Sequence, residues 1–126
     1  MCEKTMLQHI ALQCNNSKKA EIFFTKILGL KVEKEFCLSE KLSDEIFGIK
    51  ENVDVKIYGN KQVTFEIFIT KKAQNTGFEH TCIEIQDQEK FIEHCKRYNI
   101  NPMFVKKGEK TLFFVKDFAG NLFEIK

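Results

Sequence analysis

Apolar and polar residues alternate over several short runs of the chain, and two longer stretches between these runs are amphipathic. Alternation with a period of two is typical of half-buried strands, whereas apolar residues spaced three to four apart are typical of helices. The helix-like stretches run from about Ser17 to Leu28 and from about Asp87 to Tyr98. The strand-like runs are residues 7–14, 31–36, 53–59 and 63–70, and then 78–85, 102–105, 111–116 and 121–126.

These elements occur in the same order twice. Each half opens with a histidine-containing strand, continues with a capped amphipathic helix, and ends with three strands. The pattern predicts an α+β fold of two tandem βαβββ modules, which form an open, cupped mixed sheet with the helices on its outer face. We expect one domain over residues 1–126, with module one at about 5–72, module two at about 76–126 and a division near Thr76 and Gly77.

The two halves differ mainly by an insertion in the first, CLSEKLSDEIFGIKEN at residues 37–52. Leu38, Leu42 and Ile46 follow a helical spacing, so the insertion is expected to form a short helix. Two roles are open for it. It either covers part of the surface or acts as a lid that shapes one wall of a substrate pocket.

Four polar residues stand at matching places in the repeat: His9 and His80 in the opening strands, and Glu66 and Glu124 in the closing strands. Alternate residues of a strand point to opposite faces of a sheet. In each of the four strands the candidate lies opposite the apolar row. If the apolar rows pack under the helices, all four side chains line the cup.

Imidazole nitrogens and carboxylate oxygens are the ligands that divalent zinc, nickel, cobalt, manganese or iron accepts in proteins. Two of each leave coordination positions open on an ion that prefers more than four ligands, as catalysis requires. The pattern therefore predicts a divalent metal ion on His9, Glu66, His80 and Glu124. Glu84 is expected to be a solvated carboxylate or a substrate contact, and His94 a surface or packing residue.

Composition indicates which classes of partner and which cellular compartment to expect. Twenty Lys and Arg nearly balance eighteen Asp and Glu, which disfavours generic nucleic-acid binding. No run is apolar enough to cross a membrane, and the first ten residues lack the order of a secretory signal, so we expect a cytoplasmic protein. The five cysteines lack a paired motif and are expected to be reduced thiols that fill small apolar sites.

The sequence resembles the glyoxalase, bleomycin-resistance and dioxygenase superfamily, whose members are also called vicinal oxygen chelate proteins. The resemblance spans essentially the whole chain. It is carried by QHIALQC, FFTKILGLKV, VTFEIF, FEHTCIEI and above all VKDFAGNLFEIK, at residues 8–14, 23–32, 63–68, 78–85 and 115–126. The family's metal ligands would fall on His9, Glu66, His80 and Glu124, the set that strand parity also indicates.

The resemblance implies a metal-dependent lyase or isomerase that abstracts a proton from a small substrate chelating the metal through adjacent oxygens. Glu66 or Glu124 would be the catalytic base, and a homodimer is expected. It stays open whether the four ligands meet within one chain or across two. Two other functions are possible: a non-catalytic protein that sequesters a ligand, as bleomycin-resistance members do, and an Fe(II) ring-cleaving dioxygenase.

Overall fold

The computed structural model describes residues 5–71 and 77–126, in which both modules are formed. Module one contains β1 (Ile10–Cys14), α1 (Ser17–Glu21, continued by the π-helical Ile22–Ile27), β2 (Lys31–Leu38), α2 (Glu40–Phe47), β3 (Val53–Gly59) and β4 (Thr64–Ile69). Module two contains β5 (Thr81–Ile83), α3 (Gln88–Arg97), β6 (Met103–Lys107), β7 (Lys110–Lys116) and β8 (Leu122–Ile125). Residues 72 and 76, where the two modules were expected to end and begin, lie outside the described residues, so those boundaries stay predictions.

Each module forms a four-stranded mixed sheet with the same topology. The strand orders are β1-β4-β3-β2 and β5-β8-β7-β6. In both sheets the first strand runs parallel to the last, and the other neighbours are antiparallel. This arrangement confirms the α+β fold of tandem βαβββ modules.

The two helices predicted from periodicity form at the expected positions, but the first is not α-helical throughout. The side chain of Asn16 caps its start by accepting from the Lys19 N–H. From Ile22 the backbone widens into π-helical turns, and the Leu28 N–H donates to the Phe23 carbonyl five residues earlier. The wider turn places the adjacent rings of Phe23 and Phe24 in the core together.

One hydrophobic core joins the two modules. Phe123 of β8 packs against Phe23 of α1 and Phe65 of β4, with ring centroids 5.2 and 5.8 Å apart. Phe24 stacks on Tyr58 of β3 at 5.3 Å, and all five rings are fully buried. Because buried aromatic rings dominate core energetics, each module depends on the other for its stability.

The insertion forms helix α2, as its spacing predicted. Ser39 caps the start of the helix and Gly48 ends it in the left-handed conformation. Phe47 contacts the ring of Phe68, which shares a face of β4 with Glu66. Helix α2 therefore lies on the sheet face opposite α1. In each module we call the sheet face that carries the closing-strand glutamate, Glu66 or Glu124, the cup face.

A buried polar network also links the modules. Oδ1 of Asp117, at the end of β7, accepts hydrogen bonds from the backbone N–H groups of Ala119 and Asn121. Nδ2 of Asn121 donates to Oδ2 of Asp117 and to the carbonyl of Gln13 in β1. The Cys14 thiol donates to Asp117 at 3.5 Å. The turn before β8 is thereby held against the end of β1.

Candidate metal-binding half-sites

The structure brings the four candidate ligands together as two pairs. Nε2 of His9 lies 3.6 Å from Oε2 of Glu66, and Nε2 of His80 lies 3.6 Å from Oε1 of Glu124. We call these pairs half-site one and half-site two. The same distance in both modules follows from the shared topology, in which the opening strand runs parallel to the closing strand.

Strand register explains why each pair forms. Ala11 is the partner of Glu66 across β1 and β4, and Cys82 is the partner of Glu124 across β5 and β8. Each histidine lies two residues before that partner, on the cup face. The histidines were expected inside the opening strands, but both precede them by one residue. The short parallel ladders therefore begin just after each imidazole.

The two kinds of side chain differ in exposure. The Glu66 and Glu124 side chains are only 19% and 18% exposed, whereas those of His9 and His80 are 47% and 42% exposed. The carboxylates are thus largely covered by the protein, and the imidazoles lie on the solvent side of each half-site.

A backbone contact orients the second histidine. Nδ1 of His80 lies 2.9 Å from the Phe78 carbonyl oxygen, which can only accept, so the Nδ1–H group donates. In a neutral ring this leaves the lone pair on Nε2, the atom that faces Glu124. Metal-binding histidines are typically oriented through the other ring nitrogen in this way.

The spacing within each half-site suits two neighbouring positions on one ion. Ligand atoms about 2.0–2.2 Å from a metal lie roughly 3 Å from each other, so the 3.6 Å pairs need only a small inward movement. Over residues 5–71 and 77–126, however, no three His, Cys, Asp or Glu side chains cluster closely enough to hold a metal ion. One described chain therefore presents two separate two-ligand pairs.

Two cavities lie near the half-sites. One of about 520 Å³ lies between the cup face of module one and α2, and Ala11, the register partner of Glu66, lines it. Another, of about 600 Å³, lies between β1 and module two, and His80 is among the residues that line it. Neither cavity could be predicted from the sequence, because each is lined by segments that are distant along the chain.

The cysteines were only partly predicted. All four in the described residues are free thiols, and Cys14 and Cys95 fill buried sites. Cys37 and Cys82 are exposed, so the expectation that every cysteine fills an apolar site is wrong for these two. Cys2 lies outside the described residues.

Glu84 is exposed and His94 half-buried, as expected of a solvated carboxylate and a surface or packing residue.

The sequence profile described as the glyoxalase/bleomycin resistance protein/dioxygenase superfamily matches residues 8–115, which is most of the chain. The chain belongs to this superfamily. Similar curated proteins include the lactoylglutathione lyase of Arabidopsis thaliana, which is 26% identical over 93% of this chain and 42% of its own length. The chain thus spans less than half the length of the curated relatives it matches.

Solved structures share the superfamily fold. A glyoxalase family protein from Enterococcus faecalis superimposes with a TM-score of 0.73 at 20% identity, covering 95% of both chains. The fosfomycin resistance protein FosX of Listeria monocytogenes gives 0.72 at 16% identity, covering 98% of this chain and 90% of its own. That structure holds Mn(II) and dihydroxypropylphosphonic acid.

The comparisons establish the family and the fold, and the ligand set and compartment stay predictions. Over residues 5–71 and 77–126, no helix has both the length and the apolar character of a membrane span.

Proposed function

We propose that the chain is a metal-dependent lyase or isomerase of the glyoxalase type. It would abstract a proton from a small substrate that chelates the metal through adjacent oxygens. The observation that carries the proposal is the repeated pairing of histidine with glutamate, at 3.6 Å in each module. Both members of each pair are residue types that bind divalent metals, and the same two types recur at equivalent positions of the two modules.

The complete ligand set would form in a homodimer. Half-site one of each chain would face half-site two of its partner, because two ligands from one half-site leave an ion underbound. In a twofold-symmetric dimer such contacts occur twice, so two sites form together. Exposed apolar residues on β6, including the half-exposed Val105, support an interface.

The protein groups would divide the chemistry between them. A bound divalent ion would polarise the chelated oxygens of the substrate and stabilise negative charge developing on them. Glu66 or Glu124 would accept the proton from the carbon next to the carbonyl. Both carboxylates are equally shielded by their sheets, so either can be the base.

Metal binding tests the ligand set directly. Chelator-treated protein is titrated calorimetrically with Ni, Zn, Mn and anaerobic Fe(II), and so are the variants Glu66→Gln and Glu124→Gln. We expect each variant to bind at least tenfold more weakly, as loss of a ligand predicts. Glu84→Gln is the matched control, because Glu84 is an exposed carboxylate of module two outside both pairs.

Mixing two double variants tests whether the site is shared between chains. One variant carries His9→Ala and Glu66→Ala, and the other carries His80→Ala and Glu124→Ala. If ligands come from two chains, each mixed dimer regains one intact site, and random exchange restores about a quarter of the wild-type sites. If the mixture binds no metal, like each variant alone, the shared site is refuted.

The alternatives give different results. Absence of binding by every ion in wild-type protein would replace the enzyme proposal with the ligand-sequestering function. Oxygen consumption with a catechol that requires Fe(II) would identify a ring-cleaving dioxygenase. Lactoylglutathione is the first compound to assay for lyase activity, because the curated relatives are named for it.

A further inference from the structure

The cavity between α2 and the cup face of module one reaches the strand positions on either side of Glu66. Ala11, the register partner of Glu66, lines it, as does Phe68, two residues further along the same face of β4. Two strand residues span roughly 7 Å. A molecule in the cavity therefore lies within roughly 7 Å of the Glu66 position, although Glu66 and His9 do not line the cavity themselves.

The walls of this cavity are mainly hydrocarbon. Phe47 of α2 and Ile49 after it form one side, and Val53 and Phe68 of the sheet form the other. Phe47 meets Phe68 edge to face at 5.4 Å. Although the Phe47 and Ile49 side chains face the cavity, these residues remain 52% and 46% exposed, so a bound apolar group would remove their surface from water.

The charged residues around the cavity do not favour an anionic ligand. Among the described residues that line it, Lys71 is the one cation and Glu51 the one anion. Phosphate and phosphonate groups are bound by clustered Arg and Lys side chains or by backbone N–H groups at helix N-termini. The volume of about 520 Å³ is within the range of about 300–1,000 Å³ that is typical of small-molecule sites.

We propose that this cavity is a specificity pocket for an uncharged aliphatic or aromatic group of the substrate. This inference rests on the proposed function for the chelating end of the substrate, which would reach the metal at Glu66. The substrate class is then a compound with an uncharged apolar group and two adjacent oxygens at one end. The insertion that forms α2 would determine this specificity, because residues 77–126 contain no counterpart of that helix.

Alkyl hydroxamates test the pocket and the metal site separately. A hydroxamate presents two adjacent oxygens to a metal, and its alkyl chain can be lengthened without changing the chelating group. Metal-loaded protein is titrated calorimetrically with acetohydroxamate, butanohydroxamate and hexanohydroxamate. We expect affinity to rise up to about fourfold per added methylene.

Substitution of the pocket wall should remove this dependence on chain length. Phe47→Ala is expected to weaken hexanohydroxamate binding at least fivefold and to leave acetohydroxamate binding unchanged. Ile46→Ala is the control. Ile46 precedes Phe47 in α2 and is also exposed, but it is not among the described residues that line the cavity.

A second arm needs no metal. Metal-free protein is titrated with hexanamide while methyl resonances are followed by NMR, and Ile49 should shift whereas Ile100, buried outside the cavity, should not. If hydroxamates bind but chain length adds nothing, the pocket is refuted and the proposed function stands. If no hydroxamate binds but Ile49 shifts, the pocket is supported and the proposed function fails. If neither occurs, both are overturned.

Discussion

Ala11 lies directly beside Glu66 in the parallel pairing of β1 with β4, and both side chains point to the cup face. Cys82 has the same relation to Glu124 in module two. The neighbour on the opening strand is therefore small in both modules, whereas the neighbours on the other side, Ile57 and Phe114, are large. The small neighbour leaves room for a ligand to approach the carboxylate from the side of the opening strand.

This position makes Cys82 accessible to reagents. We expect iodoacetamide to alkylate Cys37 and Cys82 in the folded protein, because both are exposed. Cys14 and Cys95 should react only after unfolding, because burial raises the pKa of Cys95 to about 11 and that of Cys14 still further. Peptide mass mapping after timed alkylation measures the pattern. Rapid labelling of Cys95 under native conditions would contradict the buried packing of α3.

Truncation of Phe123 should destabilise the whole protein. Its ring contacts Phe23, Phe24 and Phe65 of the other module. We expect Phe123→Ala to lower the free energy of unfolding by about 3–5 kcal/mol, as measured by urea denaturation. Phe78→Ala is the control, because Phe78 is 99% exposed and should change it by less than about 0.5 kcal/mol. Two separate transitions in wild type would show that the modules do not share one core.

Removal of the Tyr58 hydroxyl should be harmless or stabilising. The residue is fully buried, and its oxygen has no hydrogen-bond partner among the described residues. Burial of an unpaired hydroxyl costs roughly 1–3 kcal/mol. Tyr58→Phe keeps the stacking on Phe24 and removes that cost, so thermal unfolding should occur at the same or a higher temperature. A clear loss of stability would reveal a partner for the hydroxyl.

The Asp117 network should make stability depend on pH. Burial raises the pKa of Asp117, since the cost of removing the carboxylate from water outweighs the hydrogen bonds it accepts. A raised pKa in the folded state gives a stabilising contribution that is complete below the unfolded value of about 3.9 and is lost as pH rises through the folded value.

Comparison with Asp117→Asn isolates this effect, because other titrating groups cancel. The stability advantage of wild type over the variant should be larger near pH 4 than at pH 7, as measured by urea denaturation across that interval. An advantage that grows towards neutral pH would mean that the donors around the carboxylate lower its pKa instead.

Strand parity predicted the most about the candidate site. The period of two places Glu66 and Glu124 away from the core residues Phe65 and Phe123, and the structure has them there. The same pattern could not show that one chain holds two separate half-sites, because parity gives the face of a sheet and not the distance between sheets.

Contacts between segments distant along the chain could not be predicted from the sequence pattern either. The spacing of Leu42 and Ile46 predicts a helix, but the side of the sheet on which α2 packs depends on Phe68, which lies more than twenty residues further along. The turn at Asp117 could be predicted from the sequence, whereas its hydrogen bond with Cys14 of β1 could not.

The hydrogen bond from Asn121 to the Gln13 carbonyl joins residues 108 positions apart. During synthesis β1 and α1 emerge before Asn121 and Phe123, which complete their packing. Contacts of such long sequence separation slow folding, because the intervening chain must be ordered before they form. The nascent first module therefore leaves the sides of Phe23 and Phe65 that face Phe123 uncovered until β8 arrives, and apolar surface exposed in this way favours aggregation.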